Sequence, residues 1–379
     1  MITQRHLLTA TTALIFSLTA QVSISVAQNA PVKIGATLSL SGKLAFSGTA
    51  TQQGLQLAVE DINARGGISG RQIELVLEDN TGDPKLALTG IDKLFEYNKI
   101  DILFSSFSHI TQAIKERVKR TGKIMIYAAS VGEIAKESPL FFRDWGDADS
   151  QGASLSKAVS EAGHKRIGFL SESSEGCLAI TKSFKAECER RGISITTEET
   201  YAPGETDFRS LLLRISQKKP QALATCTWRD ASIIMPQLKN MGLIALPMFQ
   251  FFAPFIPASD THEVRKLYEE NKTVAIWIGF IEGSLNNEQK AFFDRLKSKF
   301  NSSPRIESAL AYDDLMVLEA AISACPSKAD LDQACIAKQM LETKYVGIAG
   351  PLNFDEFGRS NRPDLLVKIK DGVWVDATK

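Results

Sequence analysis

From Val32 onward, short apolar runs alternate with amphipathic stretches whose apolar residues recur every three or four positions. Residues 32–38, 73–79, 102–104 and 123–128 read as strands, with helices between them over 47–64, 83–97 and 109–121. In the first helix Leu55, Ala58, Val59 and Ile62 share one face, and Gly66-Gly67 stops it. Asp83 caps the second, with Pro84 in its first turn. A second run follows: helices over 151–162, 177–191, 208–218 and 231–241, strands over 166–171, 194–201 and 222–227. Strand–helix repetition of this kind demands parallel sheets covered by helices on both faces. The expectation is an α/β protein with two Rossmann-like lobes, divided near residues 142–149. Beyond Thr273 come a strand, a long helix pair and a closing hairpin, too little for a third domain. That tail is expected to complete both sheets.

The N-terminus has its own pattern. Arg5 and His6 precede an apolar run from Leu7 to Ala20, and no acid occurs before Gln28. This reads as a secretory signal peptide over 1–27, cut after Ser25-Val26-Ala27 or, second, after Gln28-Asn29-Ala30. The run falls short of the roughly 20 residues that span a bilayer. About 350 residues then remain, enough for two domains of ordinary size. Lys and Arg number 44 and so do Asp and Glu, which leaves no basic surface for nucleic acid. The expectation is a soluble periplasmic monomer.

The five cysteines are Cys177, Cys188, Cys226, Cys325 and Cys335. An odd count in an oxidising compartment leaves at least one thiol free. Cys325 and Cys335 flank a short turn and are expected to pair. Cys177 and Cys188 share a helix about 16 Å apart, too far to bridge. Cys177 is expected to be a plain buried thiol, and its pairing with Cys226 stays open. The histidines His109, His164 and His262 are scattered, so neither a metal nor another cofactor is called for. Phosphate loops, dinucleotide fingerprints, nucleophile elbows and zincin motifs are all missing, and no acid–base or nucleophile constellation suggests an enzyme.

The chemistry lies in Ser- and Gly-rich strand-to-helix turns. These are Ser39-Leu40-Ser41-Gly42, Ser105-Ser106-Phe107-Ser108, Ala128-Ala129-Ser130-Val131-Gly132 and Glu172-Ser173-Ser174-Glu175-Gly176. Ligands of open parallel sheets bind beyond the carboxyl ends of the strands, where hydroxyls and helix N-termini suit an anion. Any one such turn is also an ordinary helix cap. Arg143 and Arg229 are further anion candidates, with Arg143 expected in a salt bridge between lobes.

The opening "VKIGATLSLSGKLAFSGTATQQGLQLAVEDINARGGISGRQIELVLEDNTGDPKLA" is similar to the entry segment of the periplasmic leucine/isoleucine/valine-binding protein family. "FFRDWGDADSQG", "AYDDLMVLEAAI" and "GIAGPLNFDEFGRSNRPDLLVKIKDGVWV" follow in the family's order. The resemblance implies the type I periplasmic binding fold, with three hinge crossings near Asp147, Trp277 and Gly350. Lobe 1 would comprise 31–147 plus 278–349, and lobe 2 would comprise 148–277 plus 350–379. It also implies a small-molecule ligand and, as partners, ABC permease and ATPase subunits in the inner membrane; a periplasmic sensor subunit is the alternative.

Carried over residue by residue, the resemblance puts Phe107 or Ser108 and Ser130 at an amino acid's carboxylate and Ala128 near its ammonium. Phe46 lies over the ligand, Glu175 replaces an aromatic residue, and Thr227 takes a tyrosine's place beside Trp228. Phe251 stands where an acid pairs with the ammonium; core packing is its bland alternative. With Trp145 added as ring surface, Phe251 argues for a small carboxylate with an apolar or aromatic body. An amino acid or its amide is the alternative, with Glu175 as the acid.

Overall fold

The computed structural model describes residues 30–227, 231–252, 261–326 and 330–379. The expected signal peptide over 1–27, Trp228 and Arg229 lie outside the described residues.

The first run is β1 (Val32–Leu38), α1 (Ala45–Ala64), β2 (Ile73–Asp79), α2 (Pro84–Asp92), β3 (Ile102–Ser106), α3 (Ser108–Thr121), β4 (Ile124–Ala128) and β5 (Phe141–Arg143). Its strands form one all-parallel sheet in the order β2-β1-β3-β4-β5. Alternate side chains enter opposite apolar layers: Ile102, Phe104, Ile124 and Ile126 on one face, Leu103, Met125 and Tyr127 on the other. Asp83 caps α2 by accepting from the N–H groups of Lys85 and Leu86. The α-helical geometry ends earlier than the expected residue 97, because Lys93–Asn98 form a wider π turn. The short β5 was not anticipated.

The second run is α4 (Ala148–Glu161), β6 (Arg166–Glu172), α5 (Glu175–Arg190), β7 (Ser194–Tyr201), α6 (Arg209–Gln217), β8 (Ala222–Cys226), α7 (Ala231–Asn240), β9 (Met248–Phe251), α8 (His262–Asn271) and β10 (Val274–Trp277). After it come α9 (Asn287–Phe300), α10 (Ile306–Ala324), α11 (Gln333–Glu342) and the ribbon β11 (Tyr345–Gly347) with β12 (Gly350–Leu352). The hairpin β13 (Leu365–Lys370) and β14 (Val373–Asp376) closes the chain. The second sheet runs β14-β13-β10-β9-β8-β6-β7, antiparallel only where β13 meets β10 and β14. In each sheet the second strand lies outside the first and the third lies inside it. The winding therefore reverses between β1 and β3 in one lobe and between β6 and β8 in the other. The tail was expected to extend both sheets. Strands β10, β13 and β14 all join the second sheet, while the first gains helices α10 and α11 and, at its β5 edge, a single parallel bridge from Arg359 to Arg143.

Helix α10 lies against α1 so closely that a Cβ on Gly54 would stand 2.1 Å from the Ser308 carbonyl oxygen. Where the crossing segments meet, a charge cluster is buried. Arg362 donates to both carboxylate oxygens of Asp144, to Asp313 and to the carbonyls of Ala349, Gly350 and Pro351. Asp313 also accepts from the amides of Ile348 and Ala349. Arg143, fully buried, pairs with Asp147 four residues on, and Asp147 caps α4.

Cys325 and Cys335 are bridged. Cys177 is not a thiol: it is bridged to Cys226, which corrects the expectation. Sequence spacing could not show this, since the partners are 49 residues apart and meet only through the β6–β8 pairing. Cys188 is free and buried, and burial pushes its thiol up to about 12.

Candidate functional site

The carboxyl ends of β1 and β3 mark the switch point of the first sheet, and those of β6 and β8 the switch point of the second. In the first turn Ser39 is buried and its hydroxyl donates to Asn80, while Asp79 accepts from the amides of Leu40 and Ser41. These groups are held by the neighbouring strand end, a structural use of that turn. Phe46 follows in the first turn of α1, half-buried, with the Arg305 guanidinium 4.9 Å from its ring centre. Arg305 was not anticipated; it is buried at the start of α10 and pairs with Glu307 at 2.8 Å.

The turn after β3 is different. Ser105 meets Thr111, but the buried Ser106 hydroxyl has no partner among the described residues. Phe107 sits at φ 65° and ψ 137°, a conformation that a side chain disfavours. Such strain gathers at ligand clamps and active sites. Its N–H donates to the Ala128 carbonyl, which ties the ends of β3 and β4 together. Ser108 is buried as the first residue of α3, whose N-cap offers no side-chain hydrogen bond. Past β4, Ala129 and Ser130 are buried, and the Ser130 hydroxyl too is unpartnered among the described residues.

The second lobe repeats this. Ser174 precedes α5, yet its hydroxyl makes no cap bond and has no partner among the described residues. Glu175 is exposed at the helix start. Glu172, not singled out from sequence, is buried at the end of β6. Thr227, just past β8, is fully buried with its hydroxyl likewise unpartnered. Phe251 does not present its ring at this edge. It is fully buried, edge-on to Phe184 of α5 at 5.4 Å, inside the lobe core. The next residue, Phe252, has φ 66° and stands 6.4 Å from the ring of Trp145, itself buried in the first crossing. The run Phe249–Phe252 signalled aromatic surface, but strand alternation decides which ring faces where.

The lobes approach each other at this edge. Helices α3 and α5 are neighbours across it. Lys43 of the first lobe reaches within 3.2 Å of where a Cβ on Gly204 of the second would stand. Ser106, Ser108 and Ser130 stand at strand ends and helix starts of the first lobe, with Phe46 and Phe107, and Ser174, Glu175 and Thr227 at those of the second. The N-termini of α3 and α5 add partial positive charge from both sides. Among the described residues no group of His, Cys, Asp and Glu could hold a metal ion, and no helix is long and apolar enough to cross a membrane.

Residues 31–373 match the family model described as periplasmic binding protein. The chain is 25% identical over 341 residues to a leucine-, isoleucine-, valine-, threonine- and alanine-binding protein of Pseudomonas aeruginosa, covering 89% of each. It is 26% identical over 332 residues to the Leu/Ile/Val-binding protein of Escherichia coli, covering 86% of this chain and 87% of that one. In fold it is similar to a branched-chain amino acid transporter substrate binding protein of Streptococcus pneumoniae in complex with isoleucine. The TM-score there is 0.78 and the identity 26%, over 91% of this chain and 97% of that one. A solute-binding protein of R. palustris in complex with benzoate superposes with a TM-score of 0.80 at 20% identity, over 92% and 95% of the chains. A family-model match over residues 31–373, on a chain of two wound sheets, makes it a member of the periplasmic binding protein family.

Proposed function

We propose that this chain captures a small carboxylate with an apolar or aromatic body between its lobes and delivers it to an ABC importer. The observation that carries this reading is the set of hydroxyls of Ser106, Ser130, Ser174 and Thr227, at strand ends of both lobes and without partners among the described residues. Leaving a buried polar group unsatisfied costs about 1–3 kcal/mol, so a ligand that accepts from such hydroxyls gains affinity. The uncapped starts of α3 and α5 favour the same negative charge. Phe107, Phe252 and Trp145 offer ring surface to the ligand body.

A zwitterionic amino acid is the second reading, favoured by the buried Glu172 at the end of β6. A buried ammonium needs such a carboxylate. The relatives named above carry amino-acid names, whereas a neighbour of the same fold is in complex with benzoate. Export through the leader at residues 1–27, residence in the periplasm as a monomer, and docking of the closed form on a permease complete the proposal. Thermal-shift titration with benzoate, aliphatic acids and isoleucine tests it. A ligand at 100 times its dissociation constant adds about 2.7 kcal/mol of stability. Stabilisation by isoleucine and by no simple acid overturns the carboxylate reading in favour of the amino acid. Stabilisation by neither class overturns both.

A further inference from the structure

We infer that the Cys177–Cys226 disulfide is a positioning element of the ligand cleft, fixing the second lobe's wall; this rests on the cleft location proposed above. Its place in the fold carries the argument. Cys226 is the last residue of β8, opposite Ser171 on β6, and Cys177 is the third residue of α5, the helix that leaves β6. The bond therefore spans the reversal between β6 and β8, where an open α/β sheet receives its ligand. Its Cα atoms are 5.7 Å apart and both side chains are fully buried.

Each cysteine adjoins a residue whose buried hydroxyl is unpartnered among the described residues: Ser174 three positions before Cys177, and Thr227 directly after Cys226. The usual non-covalent fastening of a helix start is missing here, since the Ser174 side chain caps nothing. The covalent bond takes over that task. It holds the first turn of α5, with Glu175 and the helix's positive end, against the strand that carries Thr227. Helix α3 of the first lobe lies across from this turn, so a shift of α5 alters the gap the ligand fills.

The second disulfide supplies the control. Cys325 follows the last residue of α10, a 19-residue helix whose N-cap residue, Arg305, lies beside Phe46. At about 1.5 Å per residue it lies roughly 28 Å from the cleft end.

The experiment compares C177A/C226A with C325A/C335A by isothermal titration with isoleucine and with benzoate, and by amide hydrogen exchange of the ligand-free chains. C177A/C226A is expected to weaken whichever probe the unmodified protein binds by about tenfold, equal to about 1.4 kcal/mol. It also speeds exchange at residues 174–178. C325A/C335A changes neither. Equal affinities in both variants, or exchange at 174–178 that stays as in the unmodified chain, overturns the inference. Binding of neither probe by the unmodified protein refutes the ligand reading instead, and the exchange data alone then decide the role of the bond.

Should C177A/C226A fail to fold, the unmodified protein is treated with a dithiol and trapped with iodoacetamide. The reductant closes to a cyclic disulfide as its two hydrogens pass to the cysteine sulfurs. Saturating probe is expected to slow reduction of Cys177–Cys226 several-fold and leave Cys325–Cys335 unaffected. Equal protection of the two bonds overturns the inference.

Discussion

Arg362 and Asp144 face each other through a two-pronged ion pair, Nε to Oδ1 at 2.7 Å and Nη2 to Oδ2 at 2.8 Å, with both side chains wholly buried. Asp144 stands in the first crossing between the lobes and Arg362 in the last, 218 residues on. Removing one partner strands a charge without water, which costs about 3–5 kcal/mol. Arg362→Ala and Arg362→Met are therefore both expected to lower the urea unfolding free energy by that amount. A loss below about 1 kcal/mol would show that water replaces the guanidinium.

Asp313 and Asp314, in the field of that guanidinium and of Asp144, both hold their protons more tightly than a free carboxyl. Burial pushes Asp313 up to about 7, against the pull of Arg362 and the amides of Ala349 and Ile348. Burial, with the charge of Asp144 beside it, raises Asp314 well above the ordinary carboxyl value. A carboxyl that binds its proton more tightly when folded contributes stability that is fully present below its unfolded value near 3.8. That contribution is lost as pH rises through the folded value, so these two groups make the chain less stable at pH 8 than at pH 5. Asp314→Asn keeps the shape and removes the titration. It is expected to raise stability at pH 8 and flatten the slope, as measured by urea melts at both values.

The two phenylalanines at the end of β9 are separable by mutation. Phe251→Ala is expected to cost about 3–5 kcal/mol of stability, as for a fully buried ring. Phe252→Ala is expected to act chiefly on ligand affinity. Denaturation and titration of both variants, read together, assign each ring; equal loss of affinity in both would place Phe251 in the cleft wall.

Ser130→Ala removes a buried donor from the first-lobe wall. Hydrogen bonds to charged groups contribute about 1.5–3 kcal/mol, so a carboxylate ligand should bind roughly tenfold to a hundredfold more weakly. Titration with unchanged affinity would remove Ser130 from the site.

Phe107 holds its backbone at φ 65°. Glycine adopts that region freely and alanine does not, at a cost of about 1 kcal/mol or more. Phe107→Gly should thus be more stable than Phe107→Ala by about that amount in thermal unfolding.

The alternation of 32–38, 73–79 and 102–104 with helical stretches was enough to read two wound lobes, because buried parallel strands and amphipathic helices leave different periods in the chain. Ser106, Ser130 and Thr227 were visible as polar residues at strand ends. What periodicity does not encode is partnership over distance. The Cys177–Cys226 bond, the Arg362 cluster and Arg305 over Phe46 all join segments far apart in sequence. Phe252 was missed for a local reason: a one-residue step along an extended chain turns a side chain to the opposite face.

The seat of β13 between β10 and β14 also governs when this molecule is able to become itself. Trp374 is wholly buried on β14, so that side of the second sheet is not complete until this strand is in place. The first lobe waits too, since α1 packs on α10, more than 240 residues later. A chain without α10 therefore holds a first lobe that lacks the helix packed on α1, and a chain without β14 holds an open second sheet.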